Sequence, residues 1–432
     1  MRIFRDWRLI ISSKLLEKNP IFRNFLTAST ISLLGNNIFD ISMPLYVWDR
    51  TQSPIALALV SIALQLPYFV MAPLTGYAVD FYDNRKLMLL SDLGQVAFLS
   101  LVLLFDFSTS NLLWPILVAV FIAKTLAILF ETVATFHLIP SLVPGKDLQE
   151  ANTWFLSSQR LIQIIGPLLG GLFIGLIGFR ASIFINIVSF GATLFFVYRM
   201  KELSRLLHPG RPKRSSARIP IAQIRSSFVD SVKEVWRSPL FRALIFTMFF
   251  WNLSSLTPNT ASMTYFFRAE KGYSPVDYGA VISIFGIFSI CGFFISPGLY
   301  RRLGFKKTFY GAVVWQALFG SVAVCFASFP MLFTLFFSVS RVGSSVMAMG
   351  TFLIRQTEVP REKSGSINST LRMHFMSAGP MSGGIQGTLM HQFGVFSSFA
   401  FGVLCLWATA WWGKKTSECY VEKKDSETEL AA

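Results

Sequence analysis

The chain has 432 residues, of which 53% are hydrophobic and only 14% are charged, with 44 phenylalanines. A soluble domain carries about 25% charged residues, so this composition excludes a water-exposed globular surface. The formal net charge of +16 raises the question of nucleic-acid binding, but the placement of the basic residues along the chain favours a membrane protein with no nucleic-acid partner.

Twelve apolar blocks of about 20 residues follow one another, which is the length of an α-helix that crosses a hydrocarbon layer of about 30 Å. The blocks are too long and too uniformly apolar to be barrel strands. The sequence therefore predicts an all-α membrane protein with twelve spans in two pseudo-symmetric six-helix bundles. The predicted spans, numbered 1 to 12, are 22–48, 54–79, 87–105, 112–136, 154–176, 181–198, 241–265, 276–300, 308–329, 331–354, 367–390 and 395–412.

Basic residues are concentrated on one side of these spans. Of the 39 Lys and Arg residues, 31 fall with the termini and the even-numbered loops, and most of the others lie inside spans or on the opposite side. Under the positive-inside rule, both termini are predicted to be cytoplasmic. The expected location is the bacterial inner membrane, with the lipid bilayer around the spans.

A polar, basic stretch divides the chain into two parts. Residues 201–237 are interpreted as a cytoplasmic linker held near anionic lipid head groups. The linker separates an N-terminal six-helix half at 1–200 from a C-terminal half at 238–413, and a cytoplasmic tail follows at 414–432.

The two halves repeat short motifs in the same order. Asn-Pro-Ile-Phe-Arg at 19–23 returns as Ser-Pro-Leu-Phe-Arg at 238–242, and a Ser-Pro pair at 53–54 returns at 274–275. Such ordered correspondences indicate a duplication. Parallel six-helix repeats around a midplane site are a transporter architecture.

One loop carries a family resemblance. Residues 76–92 read GYAVDFYDNRKLMLLSD, which resembles the loop between spans 2 and 3 of the major facilitator superfamily. The similarity is greatest to the macrolide-efflux and siderophore-export branch of its drug:proton antiporters, although Phe81 and Asn84 stand where that branch has arginines. Residues 33–54 are similar to the branch's first span, and the resemblance covers nearly the whole chain. A monomer is expected.

The resemblance assigns a conformational latch to this loop. In the family, its charges pair with the other half and hold the outward-facing state, which implies that role for Gly76, Asp80, Arg85 and Lys86. The alternative is a loop that only sets topology, since Arg85 and Lys86 would lie there in any case.

A second motif, Gly-Pro-x-x-Gly-Gly, occurs in spans 5 and 11 and resembles the antiporter motif of major facilitator exporters, although Ile162 stands where that motif opens with Gly. Small residues allow close helix packing, so the motif is expected near the interface of the halves. The resemblance adds that such a seal favours export. The residues are Gly166, Pro167, Gly170, Gly171, Gly379, Pro380, Gly383 and Gly384.

Charged residues inside the spans are the main functional candidates. A charge near the bilayer centre costs about 2.5–3.5 kcal/mol on insertion scales, so it is expected to face a cavity or a partner. Asp40 and Glu131 are the acids placed deep enough for proton coupling, while Asp92 lies one turn from a span end and is interpreted as interfacial. The substrate-binding candidates are Asn36, Asn37, Lys124, Arg160, Arg341 and Arg372.

The spacing of these charges predicts their environment. Lys124 and Glu131 share a helical face about 10 Å apart, so each needs a partner on another helix or in water. Four bases against two acids leave an excess of positive charge in this region. An anionic ligand bridging Lys124 to Arg341 would balance it, although an isolated Arg can also snorkel.

These observations favour a secondary active, proton-coupled exporter of a small anionic or zwitterionic organic molecule such as a siderophore. A multidrug or macrolide-type efflux pump and an importer of a small organic anion remain alternatives, and a membrane-embedded enzyme or lipid-handling protein is a third. No enzymatic activity, cofactor or metal is expected, because the four histidines are scattered and no glycine-rich phosphate loop occurs.

Overall fold

The computed structural model of the chain describes residues 14–71, 84–104, 113–133, 138–143, 147–199, 221–254, 260–359 and 364–431. Within these ranges the elements are helices and no strand occurs. The predicted all-α fold with twelve spans is confirmed.

The N-terminal half begins with a short helix, Lys14–Lys18. Spans 1 to 4 are Pro20–Thr51, Pro54–Val70, Asn84–Leu104 and Leu113–Val133. After the short helix Ile139–Leu142, one long helix, Leu148–Arg199, contains spans 5 and 6. The two spans meet at Gly178, whose φ of 83° is a left-handed conformation that glycine adopts without a steric penalty.

The C-terminal half follows an amphipathic helix, Ile221–Arg237. Span 7 starts as Pro239–Leu253 and continues as Ala261–Thr264 and a π-helix, Tyr265–Glu270. Spans 8 and 9 form Pro275–Cys325 and meet at Gly304, where φ is 75°. Spans 10, 11 and 12 are Pro330–Glu358, Ser364–Phe393 and Val395–Ala431.

The motif repeated at 19–23 and 238–242 marks the first residues of a helix in both halves. The Asn19 side chain accepts a hydrogen bond from the Phe22 amide, and the Ser238 side chain does the same for the Phe241 amide. In each case the next residue is a proline at the first helical position, where its missing N–H costs nothing. The motifs therefore recur because the two halves begin their spans with the same capping chemistry.

Span 7 differs from its prediction as one continuous helix over 241–265. The helix ends at Leu253, and the hydroxyl of Ser254 donates to the carbonyl of Trp251 at 2.7 Å. Local hydroxyl-to-carbonyl bonds of this kind compete with the helical pattern. Span 12 also continues as a helix beyond residue 412, through the part of the chain predicted to be a tail.

Hydropathy places ten of the twelve spans in two groups, long apolar helices and shorter ones. Among the described residues, six helices are long and apolar enough to cross a membrane, and two of these carry a pair of spans each. Spans 2 and 7 contribute shorter apolar helices. Spans 1 and 11 do not appear in either group although they have 32 and 30 residues, because polar residues interrupt them.

Two pairs of spans pack closely across the halves, and Asp49 of span 1 also forms an ion pair with Arg268 of span 7. Span 5 packs on span 8, where a Cβ added at Gly279 would lie 2.5 Å from the Pro167 carbonyl oxygen. The Ser283 hydroxyl donates to the Ile164 carbonyl at 2.7 Å in the same seam. Span 11 packs on span 2, where Gly387 faces Ala58.

Candidate functional site

A polar strip runs along span 1. Its cavity-lining residues are Ser29, Ser32, Leu33, Asn36, Asn37 and Asp40. Steps of three and four residues keep them on one face of a helix with 3.6 residues per turn. The polar residues that weaken the hydropathy of span 1 therefore form one wall.

That wall borders a cavity of about 290 Å³ inside the N-terminal half. Spans 2, 4 and 5 complete the lining, with Tyr68, Lys124, Ala127, Phe130, Glu131, Phe155, Ser158, Gln159 and Gln163. Five residues of the sequence-predicted site line this cavity: Asn36, Asn37, Asp40, Lys124 and Glu131. Arg160, Arg341 and Arg372 are not part of its lining.

An ion pair joins spans 1 and 4 at the cavity wall. The Lys124 Nζ atom lies 2.5 Å from Asp40 Oδ1, and their side chains are 9% and 33% exposed. A buried ammonium group needs such a partner, because desolvation of an isolated charge is costly. The pair thus places two opposite charges beside the polar wall, and together they add no net charge to the cavity.

A second ion pair crosses between the halves. The Arg372 Nη2 atom of span 11 lies 3.6 Å from Glu131 Oε2 of span 4, and both side chains are partly exposed. The Arg372 guanidinium also lies over the ring of Tyr68, with 5.5 Å between Cζ and the ring centroid. Lys124 and Glu131 therefore lie on one face of span 4 but form ion pairs with two different helices, spans 1 and 11.

Arg160 and Arg341 have no acidic partner of this kind in the described part of the chain. The Arg160 Nη1 atom donates to Gln163 Oε1 at 3.0 Å, and its guanidinium stacks on the ring of Phe293 of span 8 at 5.4 Å. The Arg341 side chain is buried, and its Nε and Nη1 atoms have no hydrogen-bond partner there. Lys124 pairs with Asp40 in this structure, and a ligand that bridges Lys124 to Arg341 stays a prediction.

The glycine motif makes different contacts in its two copies. In span 5, Gly166 faces Asn37, Gly170 faces the backbone of Ile38, and Gly171 meets the Pro275 carbonyl of the other half. In span 11 the motif faces span 2. There Gly379 meets the side chain of Gln65 and Gly383 meets Ile62, whereas a Cβ at Gly384 would meet no atom within 4 Å. Pro167 and Pro380 lie inside their helices.

The loop predicted to act as a latch is described only at its end. Gly76 and Asp80 lie outside the described residues. The Arg85 Nε atom donates to the Val197 carbonyl at 3.2 Å, and Nη2 donates to the Tyr198 carbonyl at 3.1 Å. Arg85 thus caps the end of span 6, where a cation also favours the helix dipole, and the latch role of Arg85 and Lys86 stays a prediction.

Sequence reasoning missed the burial of one acid and the uncharged polar residues of the cavity. Asp92 was expected at the membrane interface; it is only 1% exposed, and its carboxylate oxygens have no hydrogen-bond partner among the described residues. Burial inside the bundle does not test the depth of Asp92 in the membrane, so its interfacial position stays a prediction. A search for charges passed over the uncharged polar residues of the cavity, which are Ser29, Ser32, Tyr68, Ser158, Gln159 and Gln163.

Two six-helix bundles that pack along spans 2, 5, 8 and 11, with a polar cavity in the N-terminal bundle, define a membrane-transporter fold. The chain belongs to the Major Facilitator Superfamily, whose family model matches residues 25–383. It is a multi-pass membrane protein with the fold of transporters rather than of enzymes.

The relatives include efflux proteins. The multidrug efflux pump Tap of Mycolicibacterium fortuitum is 23% identical over 394 residues, which cover 89% of this chain and 92% of that protein. Macrolide efflux protein A of Streptococcus pyogenes is 26% identical over 167 residues, 39% of this chain and only 41% of the relative's length.

Solved structures show the same fold. A bacterial homologue of the iron transporter ferroportin in its inward-facing state has a TM-score of 0.71 at 19% identity, and the match covers 91% of this chain and 98% of that one. A POT family transporter in complex with 5-aminolevulinic acid also has a TM-score of 0.71, at 12% identity, over 90% and 94% of the two chains. Within its described residues, this chain has no group of three His, Cys, Asp or Glu side chains that could hold a metal ion.

Proposed function

We propose that the protein is a secondary active, proton-coupled exporter of small organic molecules, with the linker and both termini in the cytoplasm. The observation that carries the proposal is the Asp40–Lys124 ion pair at the wall of the polar cavity. A carboxylate that faces both an ammonium group and a cavity can exchange its salt bridge for a proton.

The coupling step follows from this pair. Protonation of Asp40 neutralises the carboxylate and weakens its attraction for Lys124, which then presents a free cation to the cavity. Loss of that proton restores the pair. Proton uptake on one side of the membrane and release on the other would thus alternate with binding at the cavity, and Glu131 with Arg372 is a second pair that can respond in the same way.

The substrate that we favour is an anionic or zwitterionic organic molecule such as a siderophore. Support comes from the surplus of membrane-embedded bases, because Lys124 and Arg372 have acidic partners while Arg160 and Arg341 do not. A macrolide or multidrug substrate is the second candidate. It is favoured by the names of the relatives Tap and macrolide efflux protein A.

Everted membrane vesicles test the coupling and the direction. With an imposed proton gradient reported by a pH-sensitive dye, an exported substrate should dissipate the gradient on addition. We would add erythromycin and 2,3-dihydroxybenzoate separately, to represent the two substrate classes. Vesicles with the double variant Asp40→Asn/Glu131→Gln should show no dissipation, although substrate should still equilibrate down its own gradient.

Two outcomes would contradict the proposal. Undiminished dissipation by the double variant would remove both acids from the coupling mechanism. Substrate uptake into right-side-out vesicles, driven by an inward proton gradient, would identify an importer. Arg302→Gln provides the control, because this exposed residue at the end of span 8 changes one charge far from the cavity.

A further inference from the structure

Arg341 is a buried cation with unused hydrogen-bond donors. It is 9% exposed, and its Nε and Nη1 atoms have no partner among the residues that the structure describes. Span 10 begins at Pro330, so Arg341 lies about 17 Å along the helix, near the middle of a 30 Å hydrocarbon layer. A guanidinium at this depth remains charged, and leaving its donors unpaired costs several kcal/mol.

Arg160 of the N-terminal half places a second positive charge against span 8. It lies about 18 Å along span 5, which begins at Leu148. Its guanidinium stacks on Phe293 of span 8, and a Cβ added at the adjacent Gly292 would lie 2.5 Å from the carbonyl oxygen of Val342. Arg160 and the residue that follows Arg341 in span 10 therefore contact adjacent residues of span 8.

The other membrane-embedded bases do not share this situation. Lys124 has Asp40 and Arg372 has Glu131. The excess positive charge of the membrane core is therefore located at Arg160 and Arg341. Two positive charges in a low-dielectric region repel each other. An anion bound between them attracts both, so the net electrostatic energy of the three charges becomes favourable.

We propose that Arg160 and Arg341 form a carboxylate-binding site between the two halves, and that the protein's substrates include aromatic or other apolar organic acids. This inference rests on the proposed export function. A carboxylate accepts hydrogen bonds from a planar guanidinium fork in pairs. The Phe293 ring beside Arg160 favours an organic acid with an apolar body over an inorganic anion.

The test is a binding measurement on the purified full-length protein in detergent. Calorimetric titrations would compare 2,3-dihydroxybenzoate with 2,3-dihydroxybenzamide, which differ in the charge of one group. The variants are Arg160→Gln, Arg341→Gln and Arg341→Lys, with the exposed Arg302→Gln as the control of equal charge change.

Wild-type protein and Arg302→Gln should bind the acid at least about tenfold more tightly than the amide. Each glutamine variant should lose about 10- to 100-fold in affinity for the acid, the effect of one charge-assisted hydrogen bond, with the amide affinity within about twofold. Arg341→Lys retains the charge without the planar guanidinium and should therefore lose less affinity for the acid. This variant keeps the test decisive if a glutamine variant does not fold.

Three results would overturn the site. These are equal wild-type affinity for acid and amide, unchanged acid binding in the Arg160 and Arg341 variants, and displacement of the acid by inorganic phosphate at equal affinity. The titration needs no proton gradient, so a negative result leaves the coupling proposal intact. Conversely, loss of coupling in Asp40→Asn does not affect the outcome of the titration.

Discussion

The Asp40–Lys124 ion pair gives the sharpest test of the site. We expect Asp40→Asn and Lys124→Met each to destabilise the protein, because each leaves one member of the pair without its counter-charge. The double variant Asp40→Asn/Lys124→Met should lose less than the sum of the two single losses, since the second change removes the charge that the first left unpaired.

The size of the effect follows from the geometry. At 2.5 Å, two unit charges attract by about 7 kcal/mol at an effective dielectric constant of about 20. Desolvation of Lys124, which is 9% exposed, opposes this attraction, and the 33% exposure of Asp40 screens it. We therefore expect a net coupling free energy of about 1–3 kcal/mol in the double-mutant cycle.

Unfolding in detergent, followed by tryptophan fluorescence as denaturant is added, measures the four proteins of the cycle. Arg302→Gln again controls for a simple change of net charge and should leave the midpoint unchanged. Strictly additive losses would refute the ion pair as a stabilising contact. A double variant that is less stable than the sum of the single variants would also refute it.

Gly171→Ala should lower transport and thermal stability, because the added methyl group would meet the Pro275 carbonyl of the other half. Gly384→Ala should change neither, because a Cβ there would meet no atom within 4 Å. Equal melting temperatures of the two variants would argue against close packing at Gly171. Asp80→Asn should reduce transport at an unchanged amount of inserted protein if the loop is a latch, and wild-type transport rates would exclude that role. Reporter fusions after Arg211 and at the C-terminus should both report the cytoplasm, and a periplasmic signal from either would overturn the topology.

Helix starts were predictable from the sequence because they depend on local chemistry. The Ser53 side chain accepts a hydrogen bond from the Ala56 amide, and Ser274 forms a capping box with Asp277. Each serine is followed by a proline that suits the first helical turn. The interruption of span 7 after Leu253 escaped prediction, because hydropathy measures how apolar a segment is and not whether its backbone stays helical.

The composition of the cavity wall was also predictable in part. Asn36, Asn37 and Asp40 share a face by helical periodicity alone, and the structure places them along the cavity. Their partners were not predictable, because which residue Asp40 meets depends on the rotation and tilt of span 4 against span 1. The burial of Asp92 has the same origin, since it depends on how span 3 packs on the helix Leu148–Arg199 and not on span 3 alone.

The two halves use their charges differently, although they arise from a repeat. In the N-terminal half, Lys124 is neutralised within the half by Asp40, whereas the corresponding base of the C-terminal half, Arg341, has no acid beside it. A symmetric transporter would need two equivalent sites, but this arrangement separates the tasks. The paired base is suited to proton exchange, because its partner can be neutralised by a proton. The unpaired base is suited to binding an anion, because its charge is available in every protonation state of Asp40. Under the two proposals above, proton coupling uses a pair inside the N-terminal half, whereas substrate recognition uses Arg160 and Arg341 across the interface between the halves.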